Sequence, residues 1–255
     1  MPRPKASALR NPYGVSMMYR RIKQILCCTL LLASSISAQA LSPPTELKPF
    51  RALYESQLDV GVELALDAVR ELRKDANGHW ILTSTAEAVI AGIEESSRFT
   101  LNDLQVIPQQ YQYHRQVFGK RRDAVLDFDW PNSRVTNNVE DKPWHMDIPA
   151  GTLDKLGYQM QIRLDLPGGQ TKLSYPVADG GSLKQYDFEV LGTESVETPA
   201  GTFKAIKVQR DRGDDAKRET YIWFAPELDY MIVKLYQIES DGKKAQLLLK
   251  KVESP

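Results

Sequence analysis

Hydrophobic and polar residues alternate along most of the chain from Phe50 onward, which is the pattern of β-strands with one buried face. The first run places Phe50, Ala52 and Tyr54 on one side, with charged or amide side chains between them. The alternation continues beyond an Asn77-Gly78 turn, which predicts a hairpin. Further strands are predicted at 62–68, 80–88, 96–101, 110–118, 122–130, around 135, 172–177, 183–191, 203–210, 219–224, 230–239 and 245–252.

One segment has the three- and four-residue spacing of an amphipathic helix. It runs from Leu153 through Leu156 and Met160 to Leu164, and Thr152 precedes it as a residue able to cap the first turn. About a dozen strands with one helix predict a mainly β fold. We expect a large curved antiparallel sheet or half-open β-barrel with one covering α-helix, because a flat sheet of this width would leave long reactive edges.

The N-terminus has a different pattern, which is typical of a cleaved export signal. Three basic residues within 20–23 precede an apolar run of about 12 residues, from Ile25 to Ile36, and the small residues of Ser37-Ala38-Gln39-Ala40 follow it. A membrane-spanning helix needs about 20 apolar residues, so an uncleaved anchor is the weaker alternative. We predict a signal peptide over 1–40, with an upstream extension over 1–16, that is cut after Ala40. This predicts a periplasmic protein with no permanent membrane anchor.

Removal of residues 1–40 changes the chemistry available to the chain. It removes six basic residues and no acidic one, which leaves 27 Lys and Arg against 33 Asp and Glu. It also removes Cys27 and Cys28, so disulfides and cysteine-based sites are excluded from the rest. The short basic turns within 120–122 and 210–218 do not form a nucleic-acid-binding stripe. We expect an extended leader over 41–49 and a single β-rich domain over 50–255.

The polar residues carry no catalytic or metal-binding signature. His79, His114 and His145 are far apart in the sequence and lack the spacing of a zinc site, and no G-x-S-x-G motif is present. His145 and Asp147, expected in a loop before the helix, form the pair that a hydrolase could use most readily. We therefore predict no catalytic residue, no metal, no cofactor and no enzymatic activity.

The order of aromatic residues and turns in the last third of the chain resembles a known family. It runs from Tyr186-Asp187-Phe188-Glu189-Val190-Leu191-Gly192 through Thr198-Pro199-Ala200-Gly201-Thr202-Phe203 to Tyr221-Ile222-Trp223-Phe224-Ala225-Pro226. With Phe128-Asp129-Trp130 and the predicted helix, it resembles the exported bacterial proteins grouped as domain of unknown function 3108, over residues 54–252. The resemblance implies an exported β protein. In architecture the family is similar to the half-barrel carriers that sort lipoproteins.

Aromatic side chains recur on the predicted strands, and a curved sheet would bring several to its concave side. They form either an ordinary core or an incompletely filled hollow that binds or carries an apolar envelope molecule, a lipid or an acyl chain, with the helix as plug or lid. We expect this non-enzymatic binding. The alternatives are a scaffold or assembly factor for another envelope protein, and a hydrolase. The candidate ligand-binding residues are Trp80, Tyr111, Tyr113, Phe128, Trp130, Leu153, Leu156, Met160 and Trp223.

Overall fold

A computed structural model describes residues 47–59, 63–88, 91–139, 142–213 and 217–253 of the chain. The predicted signal peptide and the leader up to residue 46 lie outside the described residues. Strands dominate the described part. They are β1 (Phe50–Asp59), β2 (Glu63–Lys74), β3 (Trp80–Ala88), β4 (Ala91–Asn102), β5 (Gln105–Val117), β6 (Lys120–Asp129), β7 (Arg134–Val139), β8 (Lys142–Asp147), β9 (Lys172–Asp179), β10 (Ser182–Thr198), β11 (Gly201–Asp211), β12 (Glu219–Ala225), β13 (Met231–Ile238) and β14 (Lys244–Glu253).

All these strands form a single antiparallel sheet. Its order is β8-β7-β6-β5-β4-β3-β2-β1-β14-β13-β12-β11-β10-β9, so the first and last strands pair in the middle and β8 and β9 are the edges. The two edges approach each other without forming a shared ladder: Trp144 of β8 lies against Gly181, in the turn between β9 and β10. The predicted large, curved and unclosed antiparallel sheet is confirmed.

The predicted alternation of buried and exposed side chains is also present. Phe50, Ala52 and Tyr54 of β1 are buried, whereas Arg51 and Glu55 are exposed. The buried faces of strands across the whole sheet join one hydrophobic cluster. The concave side of the sheet therefore holds the core, as a period-two pattern requires.

The helix α1 (Gly157–Asp165) is shorter than predicted and begins four residues later, and one 3₁₀ turn (Leu166–Gly168) follows it. Leu153 is not helical because it pairs with edge strand β9. Its N–H donates to the carbonyl of Pro176 over 2.9 Å, and its carbonyl accepts the N–H of Ala178 over 2.8 Å. An open strand edge thus recruits the start of the apolar pattern that suggested a longer helix.

The residue that holds the first helical N–H groups is Asp154 rather than the predicted Thr152. Asp154 Oδ1 accepts hydrogen bonds from the amides of Leu156 and Gly157 over 2.9 and 2.7 Å. The Thr152 hydroxyl instead donates to the carbonyl of Pro149. An aspartate just before a helix satisfies the same unpaired donors that a threonine cap would.

The helix lies inside the curved sheet. Residues 157–164 are all buried. The Arg163 guanidinium stands over the ring of Phe50 in β1, and Tyr158 stacks on Phe188 of β10 at a centroid distance of 5.4 Å. Gln161 Oε1 accepts the amide N–H of Val106 in β5 over 2.8 Å. Because strands from both halves of the sheet surround α1, the helix lies within the concave side.

Candidate functional site

A cavity of about 270 Å³ lies on the concave side of the sheet, next to the start of α1. This is close to the lower end of the volumes of small-molecule sites, about 300 to 1,000 Å³. Its lining combines apolar, polar and charged side chains. The lining residues are Ser56, Leu66, Ala68, Arg70, Ser84, Ala86, Ile93, Glu95, Lys155, Leu156, Tyr158, Gln159, Asp179, Tyr186, Arg210, Arg212, Arg218, Thr220, Leu235, Gln237, Ala245, Gln246 and Leu247.

Strand register places three leucines of the lining and one serine side by side. Ser56 of β1 pairs with Leu66 of β2 on one side and with Leu247 of β14 on the other, and Leu247 pairs with Leu235 of β13. Residues paired across neighbouring antiparallel strands project from the same face. These side chains therefore form one band across four strands. A second band, across β2, β3 and β4, consists of Ala68, Ala86 and Ile93.

Two residues further along the same strands, the lining becomes polar. Gln237 pairs with Ala245 on one side and with Thr220 on the other, so these residues form the next row on the same face. Arg210 follows Val208 by two residues on β11, and Val208 pairs with Ile222, which is itself the partner of Leu235. Because side chains repeat every second residue, Arg210 extends the polar row.

Positive charge is concentrated beyond this row. Arg212 donates to the Thr220 hydroxyl over 3.1 Å and to the carbonyl of Arg218 over 3.3 Å. Burial, together with the charges of Arg210 and Arg218, lowers the pKa of Arg212 to about 10. Arg218 forms an ion pair with Glu239 at 2.8 Å. Three arginines thus lie close enough to repel one another, and one of the three has a carboxylate partner among the described residues.

The Arg210 side chain is held by an aromatic ring. Its guanidinium carbon lies 3.1 Å from the ring centroid of Tyr186 on neighbouring strand β10. Its Nε is buried and makes no hydrogen bond to any part of the chain that the structure describes. A guanidinium stacked on a ring keeps its N–H groups available in the plane, where a carboxylate or phosphate could accept them.

The two carboxylates of the cavity already have cationic partners. Asp179 accepts hydrogen bonds from Lys184 and from the Tyr186 hydroxyl, each at 2.8 Å. Burial alone would raise the pKa of Asp179, but these bonds and the charge of Lys155 hold it below its usual value. Glu95 Oε1 lies 3.8 Å from Lys155 Nζ. The lining therefore has a net positive charge.

The family follows from a match over most of the chain. Residues 63–250 match the model of the family described as Protein of unknown function (DUF3108). The chain belongs to DUF3108. The resemblance inferred from the aromatic and turn motifs is confirmed. The family description specifies no activity.

Comparison with solved structures shows that this DUF3108 chain shares its fold with a protein of another family of unknown function. It is the β-barrel-like protein of domain of unknown function DUF1849 from Brucella abortus, with a TM-score of 0.58 and 11% identity over 83% of this chain and 99% of that one. Another solved structure that matches is a protein with a YmcC-like fold from Bacteroides fragilis, with a TM-score of 0.31 and 11% identity over 82% and 97% of the two chains. The first match shows a common barrel-like fold. No curated protein matches the chain.

Of the nine candidate ligand-binding residues, Leu156 lines the cavity. The others pack elsewhere in the interior, and their role in binding stays a prediction. The arginines were passed over because 210–218 is a short basic segment in sequence, although Arg210 and Arg212 have the period-two spacing of one strand face. The residues buried in the core are Trp80, Tyr111, Phe128, Leu153, Met160 and Trp223, and those partly buried against it are Tyr113 and Trp130.

The pair that suggested a hydrolase lies on edge strand β8, not in a loop, and away from the cavity. His145 Nδ1 is 3.0 Å from the Thr136 hydroxyl. Asp147, whose side chain is 89% exposed, lies 3.6 Å from Arg134. The strand was missed because it contains Pro143 and has almost no buried position, as an edge strand tolerates.

The described residues contain no cluster of three or more His, Cys, Asp or Glu able to hold a metal ion. None of their helices is long and apolar enough to cross a membrane.

Proposed function

We propose that the chain binds or carries an apolar envelope molecule, a lipid or an acyl chain, in the cavity of its curved sheet, without catalysis and after export to the periplasm. The observation that supports this most is the apolar band of Leu66, Leu247 and Leu235, which lines the cavity at the margin of the core. Tyr158 and Gln159 of helix α1 line the cavity beside this band, at the position that a plug would occupy. When an apolar ligand covers the apolar surface that lines a cavity, that surface is removed from water and the free energy of the complex falls.

Binding of the uncharged fluorescent probe N-phenyl-1-naphthylamine tests the cavity directly. We expect a saturable rise in fluorescence with the wild-type chain. Ala86→Trp fills the hollow, because Ala86 lies in the second apolar band between Ala68 and Ile93, and should weaken binding several-fold. Ala65→Trp is the matched control, since Ala65 is exposed on the outer face of β2. Equal affinity in the two variants would refute binding in this cavity.

Native mass spectrometry of protein gently isolated from cells separates the two non-enzymatic functions. A bound mass of a lipid or acyl compound supports the carrier. An empty chain with a co-purifying polypeptide supports the scaffold instead.

The location of the protein is tested on the same cells. We expect release of the protein by osmotic shock and a mature N-terminus at Leu41. Retention in the cytoplasm with an intact N-terminus would contradict export.

A further inference from the structure

The cavity changes character along one direction. Successive rows on β11 to β14 go from the band of Leu235 and Leu247, through the row of Gln237 and Thr220, to the charged side chains at 212 and 218. A purely apolar molecule would cover the first band but would leave the arginines without a counter-charge. The arrangement matches a molecule that is itself apolar at one end and anionic at the other.

We infer that the ligand is an anionic single-chain amphiphile, whose carboxylate or phosphate is bound by Arg210 and Arg212 while its alkyl chain lies along Leu66, Leu235 and Leu247. This inference rests on the proposed function and specifies the ligand class for the same cavity.

Arg210 and Arg212 are suited to this role because neither has a carboxylate partner among the described residues. Arg210 is oriented by the ring of Tyr186 and has a buried Nε with no partner in the described part of the chain. Arg212 donates to a hydroxyl and a carbonyl, both neutral acceptors. Arg218 is different because Glu239 already neutralises it. A guanidinium pair without a carboxylate favours an anion with several acceptor oxygens.

The volume limits the size of the tail. About 270 Å³ is at the small end of ligand sites, which favours one alkyl chain of moderate length over a diacyl lipid held entirely inside. Phosphate and carboxylate head groups are both anions with several acceptor oxygens, so the arginines could bind either. A phosphate would belong to a phospholipid-like molecule and a carboxylate to a fatty acid.

Competition against N-phenyl-1-naphthylamine, with probes kept below their micelle-forming concentrations, tests the inference. The probes are dodecanoate, dodecyl phosphate and uncharged dodecanol. At least one anionic probe should compete about ten-fold or more better than dodecanol, as one charge-assisted hydrogen bond predicts. The stronger of the two anions identifies the head group. The joint change Arg210→Gln and Arg212→Gln should abolish the preference, so that the stronger anionic probe competes no better than dodecanol against the same variant.

The matched control is Arg121→Gln with Arg122→Gln, which removes the same charge from exposed positions of β6. If the cavity double variant is unfolded, Thr220→Asp replaces it, because this change places a carboxylate at the hydroxyl that Arg212 contacts and should also remove the preference. Equal competition by dodecanol and both anions, or a preference that survives the cavity changes, would overturn the inference and leave the proposed function standing. Competition by none of the three probes would overturn both.

Discussion

The indole ring of Trp144 lies so close to Gly181 that a Cβ atom added to the glycine would be 2.8 Å from Cζ2 of the ring. Trp144 belongs to edge strand β8, and Gly181 lies in the turn beside the opposite edge strand β9. The contact brings together the two edges of a sheet that share no ladder. The close approach is possible because Gly181 has no side chain.

Gly181→Ala should therefore destabilise the fold more than an ordinary substitution in a turn. Gly181 has φ of +85°, so any L-residue meets the left-handed penalty of about 1 to 2 kcal/mol, and the new methyl group must also displace Trp144. Gly78→Ala is the control, because it has φ of +84° and no atom within 4 Å of the added Cβ. Urea unfolding should show a larger loss for Gly181→Ala.

The difference between the two glycine variants should disappear in a Trp144→Ala background, where the steric conflict is gone and only the backbone penalty remains. If Gly181→Ala is still the more harmful change without the indole, the close approach of Trp144 is not its cause.

Asp154→Asn should remove a pH dependence of stability. Asp154 is fully buried, accepts the Ser97 hydroxyl over 2.6 Å, and its burial raises its pKa from 3.8 to about 6. Between these values the unfolded chain loses the proton while the folded chain keeps it, so stability falls as pH rises. A shift of this size corresponds to about 3 kcal/mol. Urea unfolding between pH 4 and 7 measures it.

The asparagine keeps an oxygen for the amides of Leu156 and Gly157, so the variant should differ from the wild type mainly in the slope with pH. Asp127→Asn, on the exposed face of β6, controls for the loss of a carboxylate. An unchanged slope in Asp154→Asn would show that the buried carboxyl is not responsible.

The sequence predicted features that depend on local periodicity. The alternation of Phe50, Ala52 and Tyr54 is enforced by one buried face, so it identified a strand and its orientation correctly. Strand β8 was missed because an exposed edge strand with Pro143 carries no such pattern. The start of the helix was wrong because Leu153 pairs with β9, a contact between residues far apart in the chain that periodicity does not report.

The position and the lining of the cavity could not be predicted for a related reason, although a hollow was expected. Whether an apolar band faces a packed core or a hollow depends on how tightly the sheet curls, and that depends on the register of every strand pair. The stacking of Arg210 on Tyr186 follows from the β10–β11 pairing and from the side of the sheet that α1 occupies. Sequence alone places both residues on strands without indicating that they share a cavity.

Ile162→Ala tests whether α1 is an integral part of the core. Ile162 is fully buried within the curved sheet, so truncation removes apolar contacts and leaves a void, and we expect a loss of about 2 to 5 kcal/mol. Leu183→Ala is the matched control, because Leu183 of β10 is 40% exposed. Thermal and urea unfolding of both variants measure the difference. Comparable, small losses would mean that the helix packs only loosely in the sheet.

Tyr54→Phe tests a hydrogen bond that spans the interior. The Tyr54 hydroxyl on β1 donates to the carbonyl of Ile232 on β13 over 2.8 Å, reaching past β14, which lies between the two strands. The pairing between β13 and β14 begins at Lys234, so Ile232 has no partner on β14. At that position the Tyr54 hydroxyl supplies a hydrogen bond to β13. Without the hydroxyl, a buried acceptor loses its partner, and we expect a loss of about 1 to 2 kcal/mol in the free energy of unfolding.

The control for this change is Tyr236→Phe, which removes a hydroxyl from a tyrosine that is only partly buried and should alter stability by less than about 0.5 kcal/mol. Because Tyr54 joins β1 to the half of the sheet that carries Arg210 and Thr220, its loss should also loosen the cavity wall. Probe binding in Tyr54→Phe should weaken along with stability. Unaltered stability and unaltered binding together would show that β14 alone holds the two halves in place.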